Sequence, residues 1–290
     1  MSNTTESLRR KIASAGDLQS VVRTMKAVAA SSIGQYEKST ESLGDYYHTV
    51  ELGLSVCFRT AGEGAAEQPK ATTSTGAIIF GSDQGLVGQF NDVVTDFAVK
   101  TLASLTNKVQ VWAVGERVRS RLEDAGLKPI GTFAVPNSVK AIPPLIGQML
   151  IEHEKHHGRD EVTELHLFYN RPTSGAGYDP VTQRLLPLDE TWRGNLAKLP
   201  WPAKNLPEVL GDGTATLRAL IREYLFVSLF RACAESLASE NANRLAAMQR
   251  ADKNIDELLV TLQGNFNRLR QSSIDEELFD VISGFDALSR

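Results

Sequence analysis

Residues 8–36, LRRKIASAGDLQSVVRTMKAVAASSIGQY, decide the fold because their apolar side chains recur at steps of three and four. This spacing is typical of one face of an α-helix, and it continues as far as Cys57. The apolar positions are Leu8, Ile12, Ala15, Leu18, Val22, Met25, Ala29, Ile33, Tyr36, Leu43, Tyr47, Val50, Leu54 and Cys57. At about 1.5 Å per residue this helix is roughly 80 Å long, so it requires an equally long partner.

The partner helix is predicted at the other end of the chain. All 11 prolines lie between Pro69 and Pro207, and proline is excluded from helix interiors. The C-terminal segment repeats the helical spacing at Leu217, Ile221, Tyr224, Leu245, Met248, Ile255, Leu258, Leu262, Phe266, Leu269 and Leu278. We therefore expect an N-terminal helix over 1–60 and a C-terminal helix over 208–290, paired as an antiparallel coiled coil.

A Rossmann-like α/β domain is predicted over 70–190, inserted between the two helices. Alternating apolar runs and helical patterns favour a parallel sheet. The predicted strands are Thr75–Ser82, Lys108–Val114, Ile130–Val135, Glu161–Tyr169 and Val181–Leu188, and the predicted helices are Asn91–Ser104, Glu116–Asp124 and Val139–His156. Three segments, 61–75, 174–179 and 189–207, have the composition of linkers. The fold class is thus α/β with a long antiparallel coiled coil.

Composition and charge exclude several classes of function. The 290 residues are 42% hydrophobic, enough for a core, and carry a formal net charge of −4, which argues against a general nucleic-acid binder. No apolar run approaches the roughly 18–20 residues that cross a bilayer. The two cysteines, Cys57 and Cys233, are too few for a disulfide scaffold and lie on opposite terminal helices, so thiol control is not expected.

One metal-site pattern occurs at the end of a predicted helix. Residues 153–157, HEKHH, satisfy HExxH, which on a helix brings His153 and His157 to one face as zinc ligands. The sequence Gly158-Arg159-Asp160 ends the helix at once, whereas a zinc-protease helix continues on both sides. A solvated helix end is the preferred interpretation, and a zinc hydrolase stays as an alternative.

A glycine-rich turn follows the first predicted strand. Residues 81–88, GSDQGLVG, stand where dinucleotide-binding proteins hold a pyrophosphate, but the spacing is neither GxGxxG nor that of a phosphate loop. A tight strand-to-helix turn with positive φ at one or more glycines is favoured. The sequence also contains no GxSxG nucleophile motif, so the residues themselves favour a mechanical or scaffolding role.

Several stretches together are similar to the gamma subunit of F-type ATP synthases. Residues 19–30, QSVVRTMKAVAA, resemble its N-terminal helix, and residues 81–91, GSDQGLVGQFN, resemble its SDRGLCGGLN motif. The C-terminal matches are residues 239–248, SENANRLAAM, then 270–278, RQSSIDEEL, and 282–284, ISG, while 169–172, YNRP, match in mid-chain. The resemblance spans the whole chain in order.

The resemblance implies a central rotor without bond chemistry of its own. Its terminal helices enter a collar of alpha and beta subunits, its α/β domain lies beside the membrane c-ring, and epsilon is a further partner. Rotation driven by ion flow then changes nucleotide affinity in the beta subunits. The resemblance implies no cofactor, no metal and no nucleic acid, and a peripheral position on the cytoplasmic face of the inner membrane.

By the same resemblance, six residues are the expected collar contacts: Arg23, Met25, Lys26, Arg270, Gln271 and Glu277. Departures from the family include Ser31-Ser32 in place of a basic run, Gln84 for arginine and Asn241 for histidine. These departures lead to the hypothesis that the chain belongs to a divergent, second-copy ATPase that transports sodium ions. A coiled-coil adaptor that binds a nucleotide or anion at Gly81–Gly88 is the alternative from another class.

Overall fold

The computed structural model describes residues 4–61, 74–105, 107–157, 162–173, 177–188, 190–205, 207–209 and 211–288. The chain divides into two compact units. We call Met1–Ala29 with Leu245–Arg290 the helix-pair unit, and Ala30–Arg244 the α/β unit. The predicted linker 61–75 lies almost wholly outside the described residues.

Two long helices run through the ends of the chain, as the absence of proline predicts. Helix α1 spans Thr5–Ala61, and the last helix, α6, spans Gly213–Leu288. In each unit the two helices are antiparallel. Val22 of α1 clusters with Met248 of α6 in the helix-pair unit, and Tyr47 contacts Tyr224 in the α/β unit.

In the described part of the chain, the sheet has five strands in the order β3-β2-β1-β4-β5. Strands β1 to β4 are parallel to one another, and β5 pairs antiparallel with β4. The strands are β1 (Ser74–Phe80), β2 (Lys108–Val114), β3 (Gly131–Phe133), β4 (Val162–Pro172) and β5 (Tyr178–Leu186). The intervening helices are α2 (Phe90–Ala103), α3 (Glu116–Asp124) and α4 (Ile142–His157), the last preceded by a 3-10 turn at Val139–Ala141. Each predicted strand and helix of the insert is present, with ends shifted by a few residues at most.

Both faces of the sheet are covered, which explains why β1 is buried along its whole length. Ala77 and Ile79 face a cluster with Val94 of α2 and Val118 of α3. The opposite face buries its apolar side chains against α4 and the stretches of α1 and α6 that belong to this unit, including Tyr36, Ile146 and Leu229. The sheet therefore shares one core with the stretches of α1 and α6 that belong to the α/β unit.

The segment 189–207, predicted as a linker, contains a further helix, α5, over Glu190–Ala197. Trp192 lies 4.8 Å from Tyr224, measured between ring centroids, and 6.1 Å from Phe58. Leu196, one turn later, is buried in the same cluster. The linker prediction was wrong here because tertiary packing of these two apolar side chains stabilises a helix too short to form alone.

Candidate functional site

The six predicted collar contacts all lie in the helix-pair unit, at two separate places. Arg23, Met25 and Lys26 lie near the end of its stretch of α1, and the other three lie near the end of α6: Arg270, Gln271 and Glu277. Both groups lie on the two helices that the heptad spacing of apolar residues pairs with each other.

Apolar side chains in the helix-pair unit follow a regular four-three spacing on both helices. The positions turned toward the partner are Leu8, Ile12, Ala15, Gln19, Val22, Lys26 and Ala29 on α1, and Met248, Asp252, Ile255, Leu259, Leu262 and Phe266 on α6. We call these positions the seam. Leu18, predicted in the buried stripe, is 57% exposed, and that prediction was wrong because the four-three spacing places its neighbour Gln19 in the seam.

Asp252 is the polar centre of this seam. Its carboxylate accepts hydrogen bonds from Lys26 Nζ at 2.7 Å and from Arg23 Nε at 3.2 Å. The amide of Gln19 donates to it at 3.4 Å and also donates to Asp256. Hydrogen bonding to Lys26 is the main cause that holds the pKa of Asp252 below its usual range.

The predicted basic contacts are therefore occupied in part within the chain. Arg23 keeps 57% of its side chain exposed and also lies 3.8 Å from Asp256, while Lys26 keeps 35%. Met25 is half-buried and packs against the apolar cluster of the seam. The sequence analysis did not identify Asp252. Its position, four residues after Met248 and seven before Leu259, places it on the apolar face of the helix and could have indicated its role.

Arg270 and Glu277 line a groove of about 380 Å³ between the first turns of α1 and the last third of α6. Thr5, Glu6 and Arg9 form its opposite wall. Gln271 is exposed beside it. The groove therefore combines charges of both signs with the apolar floor of Phe266 and Ile274.

The end of α6 exposes large apolar side chains. Val281 is 70% exposed and Leu278 is 57% exposed, in a stretch where a soluble helix usually carries polar residues. Among the described side chains, the set is Ile274, Leu278, Phe279, Val281, Ile282 and Phe285, and we call it the apolar end of α6. Clustered exposure of this kind marks a protein interaction site. On α1, Leu18, Val21 and Val28 are exposed at helical spacing as well.

In the α/β unit, polar contacts fasten α6 to the end of β4. Glu235 is buried and pairs with Arg171 at 3.0 Å and with Arg231 at 2.7 Å. The hydroxyl of Ser239 donates to the carbonyl of Asn170 at 3.0 Å. Charge-assisted bonds of this geometry are stronger than neutral ones, so they hold the helix in place on the sheet.

The glycine turn is closed by its own polar groups. Gly88 has a φ of +60°, as a tight strand-to-helix turn requires, and a Cβ on Gly81 would lie 2.3 Å from Cβ of Val118. Asn91 accepts a hydrogen bond from the backbone N–H of Ser82 at 2.9 Å and donates to its hydroxyl at 2.8 Å. Close packing of the turn against Val118 of α3 therefore explains why residue 81 is a glycine. The positive φ explains why residue 88 is a glycine.

The HExxH prediction falls partly outside the described side chains. His153 is buried on α4, and the helix ends at His157, whose side chain lies outside the described residues. Among the residues that the structure describes, no group of three potential ligands could hold a metal ion. Both cysteines are free and buried, and burial raises the pKa of each thiol.

Within the described parts of the chain, no helix is long and apolar enough to cross a membrane.

The chain is similar to known proteins over nearly its whole length. A model of the family described as ATP synthase matches residues 4–288. The ATP synthase gamma chain of Syntrophus aciditrophicus is 28% identical over 98% of both chains, and that of Pasteurella multocida is 28% identical over 97% of this chain and 98% of its own.

Solved structures share the fold. A chain in the cryo-EM structure of the Euglena gracilis mitochondrial ATP synthase, OSCP/F1/c-ring in rotational state 3, is similar with a TM-score of 0.62. The alignment covers 98% of this chain and 94% of that chain at 19% identity. A chain of the Tetrahymena thermophila central stalk and c-ring structure gives a TM-score of 0.56 over 80% of this chain and 99% of that one, at 21% identity. The order of helix, α/β sheet and helix, and the match along residues 4–288, lead to one conclusion: the chain belongs to the ATP synthase gamma-subunit family.

Proposed function

We propose that this chain is the central-stalk rotor subunit of a membrane F-type ATP synthase. It couples ion flow through the membrane ring to ATP synthesis or hydrolysis in the alpha and beta subunits by rotating among them. The chain is a non-catalytic part of that complex, and we propose that it contributes no catalytic residue and binds no cofactor.

The apolar end of α6 is the observation that carries this proposal. Its six side chains are exposed in the isolated chain and lie on the last turns of a helix of 76 residues. Apolar attraction is non-directional, so such a surface can contact a surrounding sleeve in more than one rotational position. A contact built from fixed hydrogen bonds would instead hold a single orientation.

The six predicted contacts are proposed as the charged and adaptable part of the same interface. Arg23 and Lys26 each have a long side chain that stays 57% and 35% exposed while its charge also pairs with Asp252 inside the chain. Arg270, Gln271 and Glu277 border the groove next to the apolar end of α6. Screened surface charges of this kind tolerate several positions of a partner, as a rotor contact requires.

The proposed partners are the alpha and beta subunits around the helix pair, with epsilon and the c-ring at the α/β domain. We place the chain at the cytoplasmic face of the inner membrane, held there by its partners. The domain limits 1–60, 70–190 and 208–290 are proposed as functional segments. The sodium hypothesis concerns the ring subunits, which select the ion, and it stays a prediction.

The alternative adaptor function is not favoured. A nucleotide at the glycine turn needs free backbone N–H groups and a cationic side chain close to the phosphates. Asn91 and Ser82 bond to each other at this turn, and Arg121, which lies on its border, pairs with Asp92 at 2.8 Å. These two contacts position α2 and α3, while Arg117 is a further cation beside Gly85.

A pull-down of the tagged full chain from native membranes tests the proposal. We expect alpha, beta, epsilon and ring subunits in the eluate, together with ATPase activity. A chain carrying Leu278→Asp and Val281→Asp should lose alpha and beta, whereas the matched exposed change Asp280→Asn should not. Recovery of the unaltered chain alone, with bound nucleotide, would contradict the rotor function and support the adaptor.

A further inference from the structure

The apolar side chains of the seam do not by themselves fix how α1 aligns with α6 in the helix-pair unit. Their four-three spacing repeats every seven residues, so a displacement of one heptad again places apolar positions against apolar positions. Ala15 and Ala29 are small and offer little shape to resist such a displacement. Packing of α1 on α6 in the α/β unit, such as Tyr47 on Tyr224, also opposes such a displacement, and within the helix-pair unit itself a further feature must select one alignment.

Asp252 supplies that feature because it is a charged group at a seam position. Only 13% of its side chain is exposed, so its carboxylate needs partners from the facing helix. It has three, at positions 19, 23 and 26 of α1, spread over two helical turns. Asp256, one turn along α6, accepts a further hydrogen bond from Gln19.

A displacement of one heptad in either direction removes this arrangement. In one direction Ile12 replaces Gln19 and Gly16 replaces Arg23 opposite the carboxylate. In the other direction Ala30 replaces Arg23 and Ile33 replaces Lys26. Either alignment leaves this carboxylate, of which only 13% of the side chain is exposed, beside an isoleucine and without the arginine, which is unfavourable.

We propose that Asp252 specifies the register of the helix pair, because its contacts with Gln19, Arg23 and Lys26 fix the position of α1 along α6. Single polar residues at seam positions are known to specify register in coiled coils at a cost in stability. The second part of the proposal rests on the proposed function. A rotor shaft transmits torque only if its two helices keep one alignment, so Asp252 is a positioning residue for coupling.

The alignment is measured by the distance between two spin labels in the full chain. The labels are placed at the exposed positions Asp17 and Val260, with Cys57 and Cys233, both buried, changed to alanine. We expect one narrow distance in the unaltered background. Asp252→Leu should at least double the width of the distribution or add a second distance, since one heptad corresponds to about 10 Å along the helix.

Two further variants make the test specific. Asp252→Asn keeps one acceptor oxygen, which can serve Gln19 and Arg23, but it loses the charge and the second oxygen to which Lys26 donates, so its distribution should be intermediate. Lys253→Ala, on the neighbouring exposed position, removes only a surface contact with Glu257 at 3.9 Å and should leave the distance unchanged. A narrow, unchanged distance in both Asp252 variants would overturn the proposal.

Coupling is measured on the complex reconstituted into vesicles, as ATP-driven ion transport divided by ATP hydrolysis. Asp252→Leu should lower this ratio at least twofold while the control leaves it unchanged. If the label distances broaden and the ratio stays constant, the role of Asp252 in coupling is overturned. Failure of even the unaltered chain to assemble would contradict the proposed function, and the label distances in the free chain would still decide the alignment role.

Discussion

Truncation of Leu278 to alanine should weaken assembly of this chain with the alpha and beta subunits. Complete burial of a leucine side chain contributes about 1.5–3 kcal/mol. In the isolated chain 57% of Leu278 is exposed, so docking can gain about half of that value, or about 0.8–1.5 kcal/mol. The dissociation constant should therefore rise about 4- to 12-fold.

The assay is a titration of the fluorescently labelled full chain with the alpha–beta complex, at one fixed salt concentration. The midpoint of thermal unfolding of the free chain should not change, because substitution at exposed sites usually alters stability by less than about 0.5 kcal/mol. Glu276→Ala is the matched control, since this exposed glutamate lies in the same helical turn and is not part of the apolar end of α6.

Equal affinity of the Leu278→Ala variant and the unaltered chain would refute the reasoning. It would mean that this surface remains exposed after assembly. A lowered affinity accompanied by an equal loss of thermal stability in the free chain would also count against it, because the residue would then support the chain's own fold.

Three other predictions concern the chain alone. Burial raises the pKa of Glu240 above its usual value, so the stability that this carboxyl contributes is full below pH 4.5 and is lost as the pH rises through the folded-state pKa. Glu240→Gln should therefore flatten the change of the urea midpoint between pH 4.5 and 7, and an unchanged slope would contradict this. Gly81→Ala should lower the free energy of unfolding by about 1–3 kcal/mol, because its Cβ would lie 2.3 Å from another Cβ. Gly147→Ala on α4, where nothing lies within 4 Å, should instead raise it by about 0.5–1 kcal/mol in the same denaturation experiment. Val22→Ala should speed amide hydrogen exchange in the helix-pair unit while Leu18→Ala should not, because only Val22 is buried in the seam.

Much of this fold can be predicted from the sequence, since its strongest signals are local. Proline placement and helical spacing predict α1 and α6, and alternating patterns predict every strand of the sheet. Strand β2 and helix α3 have the predicted bounds, Lys108–Val114 and Glu116–Asp124. These elements follow from chemistry within a few neighbouring residues, so no tertiary information is needed to identify them.

The features that could not be predicted depend on residues far apart in the chain. Helix α5 forms because Trp192 packs on Tyr224, and no local pattern indicates that contact. The apolar character of Leu18 predicts that it faces the partner helix. In the structure Leu18 is exposed, and its neighbour Gln19 faces α6 and donates a hydrogen bond to Asp252. Likewise β5 lies antiparallel beside β4, a pairing that periodicity alone does not reveal.

The proposed collar contacts could be predicted only through family resemblance. Arg23 and Lys26 look like ordinary solvated helix charges in the sequence, and their partner Asp252 lies more than 200 residues away. The apolar end of α6 was partly visible, since Leu278 continued the predicted stripe. Its exposure depends on which helical positions face α1, and this follows from the pairing of the helices.

The central claim is that this chain rotates inside the alpha–beta assembly, and single-molecule observation of rotation tests it most directly. The alpha–beta complex is fixed to a surface, and a probe is attached to an exposed residue of the α/β unit such as Lys128. We predict stepwise turning in one direction on addition of ATP, which stops when ATP is removed. A complex that hydrolyses ATP while the probe on this chain stays fixed would contradict the account.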